Sequence, residues 1–311
     1  MTRYREGLAA AIGAYVLWGL FPLYWPLLEP AAPVEILAHR MVWSLAFLIA
    51  VLAVTSGFRW IRTIGPRKVG LLTLAALLIT VNWGTFIYAV NSGHVVETSL
   101  GYFINPLVTV ALAVLVLHEP LRRNQRIAVG IGAAAVLVLT LDYGRPPWIA
   151  LTLAGAFASY GFVKKRADVD GIQSLAIETA VLFPAALGYL LYLASADTGT
   201  FTTEGAGHVL LLAGAGVVTA VPLMLFGAAA IRIPLATVGL LQYIAPVMQF
   251  LIGVLVYGED MPPERLAGFA LVWVALAVFA GDAIKALRDG RGAVETAPPP
   301  TAEAAAARVS A

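Results

Sequence analysis

The chain alternates between long, uninterrupted apolar runs and short polar segments. Helices and closed barrels are the structures that satisfy every backbone hydrogen bond in lipid, and barrel strands alternate in polarity over about ten residues. These runs do not alternate, and most are near the roughly 20 residues that a helix needs to cross a bilayer. The pattern therefore predicts an all-α integral membrane protein with ten transmembrane helices. They cover residues 7–28, 36–55, 69–90, 98–117, 125–141, 148–163, 172–194, 209–230, 235–257 and 265–284, the sixth being short.

The composition supports a membrane protein and makes several other classes of function improbable. Hydrophobic residues are 60% of the chain and charged residues 12%, against about 45–50% and about 25% in soluble proteins. A net charge of +2 gives no field to attract nucleic acid, so no nucleic-acid partner is expected. There is no cysteine, and the four histidines lack metal-ligand spacing, so we expect neither a metal site nor a cofactor.

The basic residues predict the orientation in the membrane. Ten spans place both termini on one side, and loops rich in Lys and Arg face the cytoplasm. With the N-terminus inside, 17 of the 20 basic residues lie on the inner side, and only Arg40, Arg145 and Arg265 lie toward the outer side. An N-in/C-in orientation in a bacterial inner membrane follows. Lipids are then the immediate partners of the outer helix faces.

The two halves of the chain resemble each other at an offset of 140 residues. Residues 86–120 and 226–260 share nine identities without a gap, among them Pro106/Pro246 and Glu119/Glu259. Each half contains five spans, an odd number, so the second half is inverted relative to the first, as in many secondary transporters. The predicted units are a five-helix repeat at 1–142, a second at 143–285, and a disordered cytoplasmic tail at 286–311, which is rich in Ala and Pro.

Several motifs resemble one family of transporters. They are residues 35–40 (Glu-Ile-Leu-Ala-His-Arg), 82–83 (Asn-Trp), 99–107 (Ser-Leu-Gly-Tyr-Phe-Ile-Asn-Pro-Leu), 177–179 (Ile-Glu-Thr), 221–223 (Val-Pro-Leu), 242–246 (Gln-Tyr-Ile-Ala-Pro) and 257–259 (Tyr-Gly-Glu). With these motifs the chain resembles RarD-type permeases of the EamA branch of the drug/metabolite transporter superfamily. The resemblance implies ten helices, N-in/C-in topology, a central cavity lined by spans 1–4 and 6–9, and peripheral spans 5 and 10. It does not supply a substrate.

Ionisable residues inside the apolar runs are the first candidates for function, because each costs at least ~2.5–3.5 kcal/mol to insert. Glu178, about two turns into span 7, is expected to bind a proton or a cationic group, or else to form a structural ion pair. Arg40 and His39 open span 2 and are candidate substrate ligands. Arg40 aligns with Glu178 at an offset of 138, which suggests an Arg40–Glu178 pair across the cavity; alternatively, Arg40 binds a substrate carboxylate or reaches the outer interface.

Amides beside mid-membrane prolines are the second set of candidates. A proline removes a backbone hydrogen bond and frees a carbonyl, which lipid cannot satisfy. Asn105 precedes Pro106 in span 4, and Gln242 with Pro246 holds the related place in span 9. Asn82 lies just past the middle of span 3. These three amides are predicted either to bind substrate near the midplane or to join helices by hydrogen bonds.

Aromatic residues at the same level form the third set. Trp83, Tyr102, Tyr160 and Tyr243 are expected to line the cavity wall, with ordinary helix packing as the alternative. Trp25 and Trp148, near helix ends, are expected to belong to the interfacial belt. Glu119 and Glu259 end spans 4 and 9 and are interpreted as helix-end signals or gate residues.

The predicted function is secondary transport of a small polar or amphipathic solute, such as an amino-acid-like or drug-like metabolite, by alternating access. Proton coupling through Glu178 is one possibility. The alternatives are a membrane-embedded enzyme, which would need clustered catalytic groups that the short loops do not supply, and a passive channel. We therefore expect a protein that is not an enzyme. Small residues in span 5 also allow a homodimer through spans 5 and 10, although internal packing explains them equally well.

Overall fold

The computed structural model describes residues 2–55, 57–117, 123–230, 232–233, 237 and 241–288. Within these residues the regular structure is helical. Glu119 and positions 289–311 of the predicted tail lie outside the described residues. The α-helices are α1 (Thr2–Gly19), α2 (Phe21–Tyr24), α3 (Pro33–Val54), α4 (Pro66–Asn91), α5 (Val95–Leu117), α6 (Arg123–Tyr143), α7 (Trp148–Ala167), α8 (Gly171–Ser195), α9 (Gly205–Ala230), α10 (Ile244–Leu251) and α11 (Pro263–Arg288). Two 3-10 helices (Trp25–Leu28 and Arg59–Thr63) and a π-helix (Ile252–Val256) complete them.

Seven of the described helices are long and apolar enough to cross a membrane: α3, α4, α5, α6, α8, α9 and α11. An eighth candidate is α1 together with residues 21–28, which are bent by 44° relative to it. Two shorter apolar helices lie at Trp148–Lys164, within α7, and at Ile244–Val256, formed by α10 and the π-helix. The prediction of an all-helical integral membrane fold is confirmed.

The bend in the first span follows from two prolines. Pro22 and Pro26 have no N–H, so the carbonyls four residues earlier, on Trp18 and Pro22, lose their helical donors. Side chains at the other end of the sequence replace both bonds. Gln249 Nε2 donates to the Trp18 carbonyl at 3.1 Å, and the Tyr257 hydroxyl donates to the Pro22 carbonyl at 2.7 Å. The broken span is therefore joined to the α10 region by hydrogen bonds.

The two halves of the chain pack mainly across one another. α4 and α5 lie against α7, α1 lies against α9 and α10, and α3 lies against α8 and α9. Exchanging each helix for its counterpart in the other half converts α4–α7 into α9–α1, α5–α7 into α10–α1, and α3–α9 into α8–α4. All six of these contacts are present. This is the contact pattern that a two-fold axis relating the halves would produce.

α6 and α11 form a pair at one side of the bundle. They pack closely on each other, and both also contact α5. A Cβ on Gly268 of α11 would lie 2.5 Å from Leu139 of α6, and one on Gly132 of α6 would lie 2.6 Å from Leu107 of α5. Two small residues of this pair are thus required by packing inside the molecule.

Candidate functional site

The centre of the candidate site is a buried arginine held among aromatic rings. Arg40 of α3 is 2% exposed. Its guanidinium carbon lies 3.8 Å from the ring centroid of Trp83, 5.0 Å from that of Trp25 and 5.7 Å from that of Phe21. These distances fit cation–π contacts. The structure thus brings together Arg40 and Trp83, two residues that were predicted separately as site residues. We call Arg40 with Phe21, Trp25 and Trp83 the arginine cage.

The break in the first span builds one wall of the cage. Phe21 and Trp25 lie on either side of the junction between α2 and the 3-10 helix, and their rings meet edge-on at 5.3 Å. Trp25 is fully buried, so the prediction that it belongs to the interfacial belt is wrong. A position near a helix end does not make Trp25 interfacial, because its ring packs inside the bundle against Phe21 and Arg40. Trp148 is 43% exposed, consistent with a belt position.

An amide and a tyrosine connect the cage to α5 and α7. Asn82, the neighbour of Trp83, donates from Nδ2 to the Leu153 carbonyl at 3.0 Å, and its Oδ1 accepts from the Tyr102 hydroxyl at 3.4 Å. Tyr102 follows Gly101, where a Cβ would lie 2.9 Å from the Ala150 carbonyl oxygen. Glycine therefore allows α5 and α7 to approach closely, and this places the tyrosine ring.

His39 points to a different neighbourhood from Arg40. Its ring stacks on Phe201 of the α8–α9 loop, with centroids 4.6 Å apart, and both ring nitrogens are buried without a hydrogen-bond partner. Glu35, one turn earlier on α3, accepts from the backbone N–H and the hydroxyl of Thr200 at 2.7 and 3.0 Å. The Thr200 hydroxyl also lies 2.8 Å from His208 Nε2. These residues join α3 to the α8–α9 loop and do not contact the guanidinium.

Glu178 is 1% exposed and has three side-chain partners. Its Oε1 accepts from Lys164 Nζ at 2.8 Å and from the Ser174 hydroxyl at 2.6 Å, and its Oε2 accepts from the Tyr160 hydroxyl at 3.1 Å. Lys164 also bonds Ser174. The sequence indicated Glu178 and Tyr160, but it gave Lys164 no role beyond that of one basic residue among those on the inner side. Lys164 lies in the last turn of α7, and its ammonium reaches the carboxylate on α8.

The predicted Arg40–Glu178 pair is wrong, because Glu178 is paired with Lys164. The physical reason is the inversion itself. Equivalent positions of two inverted repeats lie toward opposite ends of the bundle, so aligned residues need not meet. The two sites are nevertheless linked, because Arg40 stacks on Trp83, and Tyr160 packs against the apolar cluster to which Trp83 belongs.

Three further predicted site residues lie outside the arginine cage. Asn105 is half-buried, and its carbonyl and side-chain oxygens both accept from Thr109. Gln242 and Tyr243 lie in a turn before α10, and Tyr243 packs against the apolar cluster of α5, α6 and α11. Pro246 lies in the first turn of α10, where the N–H groups have no acceptor within the helix, so the missing N–H of a proline is tolerated.

A second polar region surrounds a cavity of about 350 Å³ at one end of the bundle. Glu97, 1% exposed, accepts from Arg145 at 2.8 Å and from the Ile149 N–H at 3.1 Å. Glu259 accepts from the first two N–H groups of α5, those of Val95 and Val96, at 2.5 and 3.0 Å. Burial raises the pKa of Glu259, although these backbone bonds oppose the shift. The sequence pattern singled out Glu259 as a helix-end or gate residue, but it did not single out Glu97.

Comparison with known proteins places the chain among transporters. Residues 5–141 match the EamA-like transporter family. A protein from Streptomyces exfoliatus called Protein RarD is 58% identical, over 95% of this chain and 94% of its own. Protein RarD of Escherichia coli strain K12 is 42% identical, over 90% and 95%, and the uncharacterized transporter YojE of Bacillus subtilis is 43% identical, over 90% and 95%. A crystal structure only 18% identical in sequence shares the fold, with a TM-score of 0.57 over 89% of this chain and 97% of its own.

Proposed function

Because the chain belongs to the RarD-type branch of the EamA-like transporter family, we propose that it moves a small polar or amphipathic solute by alternating access. It is a multi-pass protein of the bacterial inner membrane and a transporter of the drug/metabolite type. The proposal comprises ten spans in two inverted repeats, 1–142 and 143–285, with N-in/C-in orientation. Its main support is the symmetric exchange of contacts between the halves, since near-equivalent halves of opposite orientation favour two similar states, one open to each side.

The proposed binding centre is the arginine cage with Asn82 and Tyr102. It combines a fixed cation, aromatic faces and an amide in the interior of the bundle, which is where inverted-repeat transporters hold their solutes. His39, Asn105, Tyr160, Gln242 and Tyr243 remain predicted contacts along the rest of the path.

Glu178 is the proposed proton site. Protonating its carboxylate would remove the negative charge that holds Lys164 and leave a neutral acid beside Ser174 and Tyr160. The ammonium would then be free to move with α7. A single proton would thereby change the contact between α7 and α8, which come from the same repeat.

The test is uptake into proteoliposomes of a panel of amino acids and small metabolites, with and without an imposed pH gradient. We expect gradient-driven uptake by the wild type, lost in Glu178→Gln and kept in Glu204→Gln, where the same change falls on an exposed loop residue. Gradient-independent exchange that survives Glu178→Gln would make the protein a facilitator and reduce Glu178 to a structural role. The absence of flux for every solute would contradict the transport proposal for this panel.

Orientation and assembly are tested separately. An impermeant thiol reagent should label Ser92→Cys from outside and Thr63→Cys only from inside, and the reverse would overturn N-in/C-in. The proposed homodimer would use the lipid-facing side of α6 and α11, where Leu137 and Leu141 are 66% and 83% exposed. Native mass spectrometry that finds only the monomer mass would contradict it.

A further inference from the structure

We infer that the transported solute carries one negative charge, as a monocarboxylate does, and that Arg40 binds this charge. The inference rests on the proposed function, because it names the class of solute for the proposed binding centre. It starts from a charge that the protein leaves uncompensated. Among the described side chains, Arg40 is the only lysine or arginine that is buried.

Each buried acid of the described chain has partners other than Arg40: two form ion pairs, and the third, Glu35, accepts hydrogen bonds from a neutral residue. Glu35 is held by Thr200, Glu97 by Arg145 and Glu178 by Lys164. Of the ion pairs among described residues, none includes Arg40. A buried cation without a counter-ion is strongly unfavourable, and in a membrane protein it marks a solute or ion path. An anionic ligand would supply the missing charge.

The hydrogen bonds that are missing at the cage are all of one kind. Arg40 Nε is buried and has no acceptor, and Trp25 Nε1, in the ring next to it, is also buried without one. Both groups can only donate. A ligand that satisfies them must bring acceptors, and a carboxylate has two oxygens that match the in-plane fork of a guanidinium. Trp83 covers a face of the guanidinium, so a carboxylate would have to bind at its edge.

The magnitude of the charge favours a monoanion. One unpaired cation balances a carboxylate, whereas a phosphate monoester dianion would leave an excess negative charge in a cage of aromatic rings. The apolar walls suit a solute with a hydrocarbon or aromatic body next to the acid. A neutral or cationic solute of the same shape would leave the Arg40 charge uncompensated, so the cage selects against both.

The experiment is thermal unfolding of the purified protein in nanodiscs with pairs of probes, each an acid and its amide: phenylacetate with phenylacetamide, and isovalerate with isovaleramide. A ligand that binds the folded state raises the unfolding temperature with concentration. We expect saturable stabilisation by at least one acid and none by its amide. Phenyl phosphate, tested alongside, should bind at least tenfold more weakly than phenylacetate.

Two variants assign the effect to Arg40. Arg40→Gln, which removes the charge, should abolish stabilisation by the acid, and Arg40→Lys, which keeps the charge without the fork, should weaken binding at least tenfold. Arg62→Gln makes the same charge change at an exposed arginine and should bind like the wild type. Equal stabilisation by acid and amide, retained binding in Arg40→Gln, tighter binding of phenyl phosphate, or no binding of either acid would overturn the inference. If Arg40→Gln fails to fold, the acid–amide comparison in the wild type still decides.

Flux of the same probes separates this inference from the proposed function. Uptake of an amide but not its acid by proteoliposomes, above the uptake by protein-free liposomes, would overturn the anionic class and leave a transporter. Binding of the acid that depends on Arg40, without flux of any probe or panel solute, would support the anion site and contradict transport.

Discussion

At the scale of single residues, the burial of the Arg40 charge in the arginine cage lowers the stability of the folded protein. Burial of a guanidinium costs several kcal/mol, and cation–π contacts return about 2 kcal/mol when desolvated. The aromatic rings alone therefore do not account for an arginine at this position. A residue retained for binding often has this character.

We predict that Arg40→Met is more stable than the wild type without ligand, by about 1–2 kcal/mol, because the uncompensated charge is removed and the apolar volume is largely kept. Unfolding in nanodiscs measures the change. Arg62→Met, at an exposed site, should stay within about 0.5 kcal/mol of the wild type. A clear loss of stability in Arg40→Met would show that the arginine is a structural part of the cage.

The sequence identified Arg40, Trp83, Asn82 and Tyr102 because each is a polar or aromatic residue within an apolar run. It did not identify Trp25 or Lys164. Both lie near helix ends, where an aromatic or basic residue is ordinarily interfacial. Trp25 is placed in the interior by its contact with Arg40, and Lys164 by its ion pair with Glu178. Neither contact can be inferred from the local sequence pattern.

At the scale of elements, the apolar runs predicted the helices well, and the interruptions less well. The run at 235–257 contains Pro246, and the structure there has the short helix α10 followed directly by a π-helix. The continuous apolar pattern did not predict this change of helix type. The first apolar run contains two prolines, and the two backbone carbonyls that lose their helical donors accept hydrogen bonds from Gln249 and Tyr257 instead. Such partners lie more than 200 residues away, beyond what spacing in the sequence can show.

The contact between Glu259 and α5 is an element-scale feature with a pH dependence. Burial raises the pKa of Glu259, so the folded protein holds this proton more tightly than the unfolded chain does. That contribution is complete below the ordinary glutamate pKa and is lost as the pH rises through the raised value. The ionisable groups around the same cavity are His94, Glu97, Tyr143, Arg145, Asp260 and Arg265.

We therefore predict that the stability of the wild type relative to Glu259→Gln declines as the pH rises from below the ordinary glutamate pKa through the raised one. Unfolding at a series of pH values measures it, in a His94→Gln background that removes the nearby imidazole. A relative stability that instead grows with pH would mean that the bonds from Val95 and Val96 to the carboxylate outweigh its burial.

At the scale of the whole molecule, neither half stands alone. Every helix of the first half, apart from the short α2, packs on a helix of the second, and the pattern of these contacts is symmetric. The offset of 140 residues predicted related halves but not how they interlock, because the identities align helices and say nothing of their neighbours. Interlocked halves can change together when the contacts at one end of the bundle open and those at the other close.

Alternating access to the arginine cage is the central claim, and a single thiol tests it most directly. The chain has no cysteine, so Tyr102→Cys carries the only thiol, beside Asn82 in the proposed binding centre. The measurement is its rate of reaction with an impermeant thiol reagent, applied from outside to spheroplasts and from inside to inverted vesicles. Ser92→Cys and Thr63→Cys serve as controls for each side.

We predict reaction from both sides, with the rate from one side rising as that from the other falls when a pH gradient is imposed. An acid that binds the cage should slow both reactions, and its amide should not. Reaction from a single side under all conditions, or rates that rise together as in an open pore, would contradict alternating access.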